Sequence, residues 1–155
     1  MGYLEPHFED DTVVVTGAAS GIGREIALAF GDAGATVVVA DLHEESKDGD
    51  VPTHDRITRA GGEATFVETD VTDVEQLRAV VAAARESGGV DVMINNAGII
   101  LPGSVRDLDP EAFDRIHAVN TRGMFFGTQA AVNDMIDREE PGAVINTASI
   151  SSNFA

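Results

Sequence analysis

The sequence contains no cysteine and no tryptophan, and it has a single tyrosine, Tyr3, and a single lysine, Lys47. The absence of cysteine excludes disulfide bonds and thiolate chemistry. No apolar run approaches the ~20 residues that a membrane-spanning helix needs. The N-terminus shows no basic segment followed by an apolar one, so no signal peptide is expected. We therefore expect a soluble cytoplasmic protein.

Positive charge is scarce as well. The 155 residues include 27 acidic and 10 basic side chains, which gives a formal net charge of −17. Because such a chain repels polyanions, neither nucleic acid nor an anionic membrane is an expected partner. A dinucleotide is not excluded, since backbone N–H groups can hold a phosphate locally. Such acidity is typical of halophilic proteins, so we expect the fold and activity to depend on added salt. The alternative to a halophilic protein is an ordinary acidic cytosolic protein.

Apolar runs and helical patterns alternate along the chain. Hydrophobic residues make up 43% of the sequence, which is enough for the core of one domain. Several β-branched runs fit strands buried on both faces, and strands that alternate with helices indicate βαβ units. The predicted fold is therefore α/β, a doubly wound parallel sheet between two helical layers. The predicted strands are Thr12–Val15, Thr36–Ala40, Ala64–Glu68, Val90–Asn95 and Ala143–Thr147, and the main predicted helices are Ile22–Ala33, Val74–Glu86 and Asp109–Arg138.

Local patterns predict helix ends and helix faces. Asp73 and Asp109 are expected as N-caps, the second followed by a proline in the first turn. The segment His43–His54 is expected to be an acidic surface loop, with Thr53 capping a short helix that ends at Arg59. The buried face of the first long helix is expected to comprise Ile22, Ile26, Ala29, Phe30 and Ala33.

A glycine-rich turn, Thr16–Gly23 (T-G-A-A-S-G-I-G), separates the first predicted strand from the first helix. In a dinucleotide site the first glycine permits a tight turn, the second lets the backbone approach a pyrophosphate, and the third lets helix and strand pack closely. The helix N-terminus offers unpaired N–H groups and partial positive charge to the phosphates. The sequence therefore predicts a Rossmann-type sheet with a dinucleotide site. The candidate contacts in this turn are Gly17, Ser20, Gly21, Ile22 and Gly23.

Asp41 directly follows the second predicted strand. Its carboxylate is placed to accept hydrogen bonds from the adenosine ribose and to repel a 2′-phosphate, which favours NAD over NADP. No arginine or lysine stands at Ser20, Leu42 or His43 to neutralise that phosphate. Arg24 is near the glycine turn in sequence, but it lies within the predicted helix. It is therefore either a cation for such a phosphate or a surface residue.

Four further motifs follow in order, and together with the spacing T-G-x-x-x-G-x-G they resemble the short-chain dehydrogenase/reductase family. Asp70-Val71 follows the third predicted strand, and Asn95-Asn96-Ala97-Gly98 follows the fourth. Asn120 lies in the long helix, and Asn146-Thr147-Ala148-Ser149 closes the fifth strand. The resemblance implies NAD(P)-dependent hydride transfer between an alcohol and a ketone.

The resemblance also implies roles for these residues. Asp70 and Val71 contact the adenine, Asn96, Ala97 and Gly98 lie against the cofactor, and Asn95 ties neighbouring strands. Asn120, also expected to be a buried amide, holds a water of the proton relay through its backbone. Ser149 donates a hydrogen bond to the substrate carbonyl. By residue type alone Ser151 and Ser152 are rivals for that role, and Ile99–Val105 is expected to line the substrate pocket.

The family's tyrosine and lysine, Y-x-x-x-K, have no counterpart in the sequence, because Tyr3 and Lys47 cannot substitute for them. We expect residues 1–155 to be one NAD(P)-binding domain truncated before that helix and inactive alone, and the full-length form to be a homotetramer or homodimer. The alternatives are a non-catalytic dinucleotide-binding protein and an extended relative acting on nucleotide sugars, which the glycine spacing disfavours. No metal site is expected, because the four histidines lack ligand spacing: His7, His43, His54 and His117.

Overall fold

The computed structural model of the chain describes residues 7–47, 49–101, 103–104 and 106–149. Five parallel strands form one sheet in the order β3-β2-β1-β4-β5. The order runs outward in both directions from β1, which is the arrangement of a Rossmann-type sheet and confirms the predicted fold. The strands are β1 (Thr12–Thr16), β2 (Thr36–Asp41), β3 (Glu63–Glu68), β4 (Val92–Asn95) and β5 (Ala143–Asn146).

Helices connect the strands, as predicted, although the longest is interrupted. Asp73 and Asp109 are the expected N-caps, and their carboxylates accept hydrogen bonds from the N–H groups of Glu75 and Glu111. A π-helical turn, Ala118–Gly123, divides the predicted long helix into two α-helices. No helix among the described residues is both long and apolar enough to cross a bilayer. The α-helices are α1 (Gly21–Asp32), α2 (Thr53–Arg59), α3 (Val74–Arg85), α4 (Pro110–His117) and α5 (Met124–Arg138).

The core has two parts, one on each face of the sheet. Alternate residues of a strand point to opposite faces, so Val13 packs with α1 and α2 on one side while Val14 packs with α3 and α5 on the other. The helical contacts include Ala27 and Ile57 on the first face and Val80 on the second. These two apolar layers complete the three-layer α/β/α architecture and hold the strand ends at fixed positions.

The predicted buried face of α1 is wrong at two positions. Ile22 is 69% exposed and Ala29 is exposed, whereas Gly23, Ala27 and Gly31 are buried. The small residues, four apart, let α1 lie close to its neighbours, so the larger side chains point sideways or outward. The three other predicted positions are partly buried: Ile26, Phe30 and Ala33.

Thr53 does not cap α2, because Pro52 occupies the N-cap position and Thr53 is the first helical residue. The Thr53 side chain is fully buried, and its hydroxyl donates to the Ala18 carbonyl at 2.7 Å. The same oxygen accepts a hydrogen bond from Arg24 Nη1 at 2.9 Å. Arg24 is consequently buried rather than a surface residue, and Thr53 ties α2 to the glycine turn.

Candidate functional site

A cleft of about 600 Å³ opens where the strand order reverses, at the carboxyl ends of β1 and β4. Ligands bind at this position in open parallel sheets. All the predicted cofactor contacts except Gly21 line the cleft: Gly17, Ser20, Ile22, Gly23, Asp41, Asp70, Val71, Asn96, Ala97 and Gly98.

The three glycines of the turn meet three different steric demands. Gly17 has φ +67°, and a Cβ there would lie 2.8 Å from Ala97 Cα, so the turn passes too close to the end of β4 for a side chain. A Cβ on Gly23 would lie 2.2 Å from the Gly17 carbonyl oxygen. Gly21 differs, because its φ is +58° but a Cβ would meet nothing within 4 Å. The bare backbone at Gly21 therefore faces open space.

Hydrogen bonds between Thr16 and Asn96 lock the ends of β1 and β4 together. The Thr16 hydroxyl oxygen accepts from the backbone N–H groups of Asn96 and Ala97 at 3.0 and 3.1 Å. The Asn96 side-chain amide donates to the carbonyls of Thr16 and Gly17 at 3.1 and 3.3 Å. The side-chain donors of Asn96 thus shape the turn. Thr16 is the first residue of the predicted glycine turn, but no role of its own was predicted for its hydroxyl group.

Asp41 and Asp70 each use a carboxylate oxygen to organise a loop at the cleft. Asp41 Oδ2 accepts from the Ala19 N–H at 2.9 Å, which fixes the glycine turn against the end of β2. Asp70 Oδ1 accepts from the backbone N–H and the hydroxyl of Thr72 at 2.9 and 2.7 Å. The Asp70 N–H donates to Gln76 Oε1 at 2.7 Å. Both carboxylates are therefore held at the cleft wall by hydrogen bonds within the protein.

Lys47 is a lining residue of the cleft for which no contact with the cofactor was predicted. The loop between β2 and α2 is mostly exposed, as predicted, but it brings Lys47 into the wall of the cleft that Asp41 and Leu42 also line. The cleft wall therefore carries the positive charges of Lys47 and Arg115 as well as the acidic groups. The other lining residues that were not predicted as cofactor contacts are Thr69, Thr72, Ile99, Arg115, Ala118, Val119 and Thr147.

Asn120 lies in the π-helical turn and is exposed, so the expectation of a buried amide is wrong. The π turn alters the helical register at this point, and the side chain projects toward the segment after β4 instead of into the core. Its Oδ1 accepts from the Ile99 N–H and its Nδ2 donates to the Ile99 carbonyl, both at 2.9 Å. Asn120 thereby anchors the backbone beside Gly98, which lines the cleft.

Ser149 follows β5 and is exposed. Neither Ser149 nor Asn120 is among the described residues that line the cleft, whereas Thr147, two residues before Ser149, does line it. Asn95 ties elements together as predicted, since its amide nitrogen donates to Asn146 Oδ1 at 2.9 Å and to Thr128 Oγ1 at 3.1 Å. Six positions used in the predictions lie outside the described residues: Tyr3, Asp48, Pro102, Val105, Ser151 and Ser152.

Comparison with known proteins places the chain in one family. The family model described as short chain dehydrogenase matches residues 11–155. A 2,5-dichloro-2,5-cyclohexadiene-1,4-diol dehydrogenase of Sphingobium indicum, LinX, is 38% identical over 142 residues, which cover 91% of this chain and 55% of the relative. A 3beta-hydroxysteroid dehydrogenase 2 of Eggerthella lenta is 35% identical over 150 residues, covering 94% of this chain and 56% of the relative.

A solved structure agrees with these sequence matches. The crystal structure of a short-chain type dehydrogenase/reductase from Mycobacterium marinum superposes with a TM-score of 0.90 at 36% identity, covering 99% of this chain and 62% of that one. The chain spans about half the length of the curated relatives it matches. Because the family model matches nearly all of the sequence, the chain belongs to the short chain dehydrogenase family.

Proposed function

We propose that the cleft binds a nicotinamide dinucleotide, with NAD preferred over NADP, as the cofactor site of an oxidoreductase that interconverts an alcohol and a ketone. Members of this family generally bind NAD(P). The observation that carries the proposal is the open face of Gly21 beside a cleft that the other predicted cofactor contacts line. A bare backbone at a helix N-terminus is the surface that a pyrophosphate needs.

The cleft residues have distinct parts in this proposal. The turn around Gly21 receives the pyrophosphate, and Asp41 accepts hydrogen bonds from the adenosine ribose. Asp70 and Val71 flank the adenine. The nicotinamide end lies toward Asn96, Ala97 and Gly98, where a bound cofactor supplies hydride transfer.

Two residues beyond the cleft lining act on the substrate side. Ser149 donates a hydrogen bond to the substrate oxygen, and Asn120 positions the segment after β4 through its two bonds to Ile99. The two relatives named above are dehydrogenases of a cyclohexadiene diol and of a 3beta-hydroxysteroid. We propose a secondary alcohol as the substrate class on that basis.

We propose that the polypeptide of residues 1–155 binds the cofactor but does not catalyse the oxidation of an alcohol. Proton transfer in the family relies on Y-x-x-x-K, and the only tyrosine and lysine here are Tyr3 and Lys47. The second candidate is a non-catalytic dinucleotide-binding protein. Steady NADH formation from any secondary alcohol by the 155-residue polypeptide would refute the proposed inactivity, and a native protein that carries Y-x-x-x-K and oxidises alcohols would exclude the second candidate.

Calorimetric titration of NAD and NADP into the wild-type chain and into Asp41→Asn tests the cofactor assignment. The asparagine keeps an acceptor for the Ala19 N–H, so the turn is retained while the charge is lost. We expect the ratio of NAD affinity to NADP affinity to fall about tenfold. The substitution weakens the charged hydrogen bond to the adenosine ribose and removes the repulsion of the 2′-phosphate. The matched control is Glu25→Gln, which removes one exposed charge from α1. An unchanged affinity ratio in Asp41→Asn would count against the assignment.

A further inference from the structure

A second pocket, of about 260 Å³, lies between α1 and α2. Among the described residues it shares no lining residue with the dinucleotide cleft. Three arginines and one aspartate supply its charge, which makes it a local positive region in a chain of net charge −17. The pocket is lined by Arg24, Asp50, Val51, Arg56 and Arg59.

Arg24 is the buried member of this group, with 4% of its surface exposed. Its Nη1 donates to Thr53 Oγ1, whereas its Nη2 is buried without a hydrogen-bond partner. Within the described part of the chain, no carboxylate forms an ion pair with Arg24. Buried guanidinium donors are normally paired, and an unpaired one is unfavourable. Because Arg24 lines the pocket, an acceptor bound there lies next to the guanidinium group that carries this donor.

Arg56 and Arg59 stand at the rim of the pocket, three positions apart on α2. Arg59 Nη2 lies 3.6 Å from Asp55 Oδ2, an exposed pair of the kind that contributes little to stability and that a ligand can displace. Arg56 has no side-chain hydrogen bond or ion pair to any residue the structure describes. Both rim guanidinium groups are therefore available to a ligand that reaches Arg24.

We propose that this pocket binds a phosphate-type oxyanion, which accepts hydrogen bonds from Arg24 Nη2 at its base and from Arg56 and Arg59 at its rim. The planar fork of guanidinium donors matches the oxygens of a phosphate group, and charge assistance strengthens each bond. Thr53 joins Arg24 to the Ala18 carbonyl, so the pocket lies behind the glycine turn. Inorganic phosphate and the 2′-phosphate of a nucleotide present this same group.

Calorimetric titration of sodium phosphate into the chain at constant ionic strength tests the proposal, with the expectation of one saturable site per chain. Replacement of the buried Arg24 endangers the fold, so the double variant Arg56→Gln/Arg59→Gln is used, with circular dichroism to verify folding. We expect its phosphate affinity to fall at least about tenfold. The matched control Arg78→Gln removes an exposed arginine from α3 and leaves the affinity unchanged.

Two results overturn the proposal: no saturable binding to the wild-type chain, or equal weakening of phosphate binding in the rim variant and in Arg78→Gln.

Repetition of the titration with saturating NAD or NADP identifies the source of the phosphate group. Displacement by NADP but not by NAD assigns the site to the 2′-phosphate. Phosphate binding that neither dinucleotide affects assigns the site to a free anion. Because the phosphate titration needs no dinucleotide, failure of the cofactor proposal leaves this test intact.

Discussion

Substitutions at two glycines of the glycine turn should have different effects on packing and on ligand binding. In Gly23→Ala the new Cβ would lie 2.2 Å from the Gly17 carbonyl oxygen and 2.4 Å from Asn96 Nδ2, so backbone must move. Overpacking of this kind costs about 1–3 kcal/mol, and disruption of the Asn96 hydrogen bond adds about 1 kcal/mol. In Gly21→Ala the Cβ meets nothing within 4 Å, and the positive φ alone costs about 1–2 kcal/mol.

We therefore expect Gly23→Ala to lower the free energy of unfolding by roughly 3 kcal/mol, or the melting temperature by roughly 10 °C, and Gly21→Ala to lower the free energy by about half as much. Both variants should lose dinucleotide affinity, the first because the turn is displaced and the second because the methyl group occupies the approach to the bare backbone. Urea denaturation followed by circular dichroism gives the stabilities, and calorimetry gives the affinities.

Gly61→Ala is the matched control, because its φ is +97°, its Cβ also meets nothing within 4 Å, and it follows α2 rather than lying in the glycine turn. It should lose at least as much stability as Gly21→Ala while it retains the wild-type affinity for NAD. Equal stability of Gly21→Ala and Gly23→Ala would refute the packing argument. Wild-type NAD affinity in Gly21→Ala would refute the role of the open backbone.

Three further predictions concern stability. Asp134→Asn should lower the free energy of unfolding by about 3 kcal/mol, because Asp134 is buried and pairs with Arg85 and Arg138. Burial alone would raise the pKa of Asp134, but the Val90 N–H and the two arginines lower it. The stability of the wild-type chain should therefore fall as the pH drops from the usual carboxyl range toward the lowered pKa. The stability of Asp134→Asn should fall less over the same pH range. Asn120→Ala should cost about 1–2 kcal/mol in urea denaturation, since it removes both bonds to the Ile99 backbone; an effect near zero would contradict the anchoring role. The acidic composition predicts that urea midpoints rise with added salt, and salt-independent midpoints would exclude adaptation to high salt.

The features predicted well from the sequence are local ones. The β-branched run at Val13–Val15 and the helix caps at Asp73 and Asp109 each depend on a few consecutive residues. The glycine turn could also be identified from the sequence, because the spacing of its glycines reflects steric demands within one strand-turn-helix unit. The doubly wound parallel sheet was predicted from the alternation of strands and helices and from the family resemblance.

The errors involve contacts between residues far apart in sequence. Periodicity placed Ile22 and Ala29 inside, but close packing through Gly23 and Gly31 reverses that choice. Thr53 resembles a cap by residue type, yet its hydroxyl bonds to Ala18, 35 positions away. No helical pattern reveals where a π turn changes the register of a helix.

We propose above that the cleft at the carboxyl ends of β1 and β4 binds a nicotinamide dinucleotide. The most direct test is titration of NAD into ¹⁵N-labelled chain, monitored by the backbone amide resonances in two-dimensional NMR. We expect saturable shifts at Gly17, Gly21, Asp41, Asp70 and Ala97, and little change in the groove between α3 and α5 that Arg78 and Gln129 line. Shifts confined to that groove, or no saturable shifts at all, would contradict it.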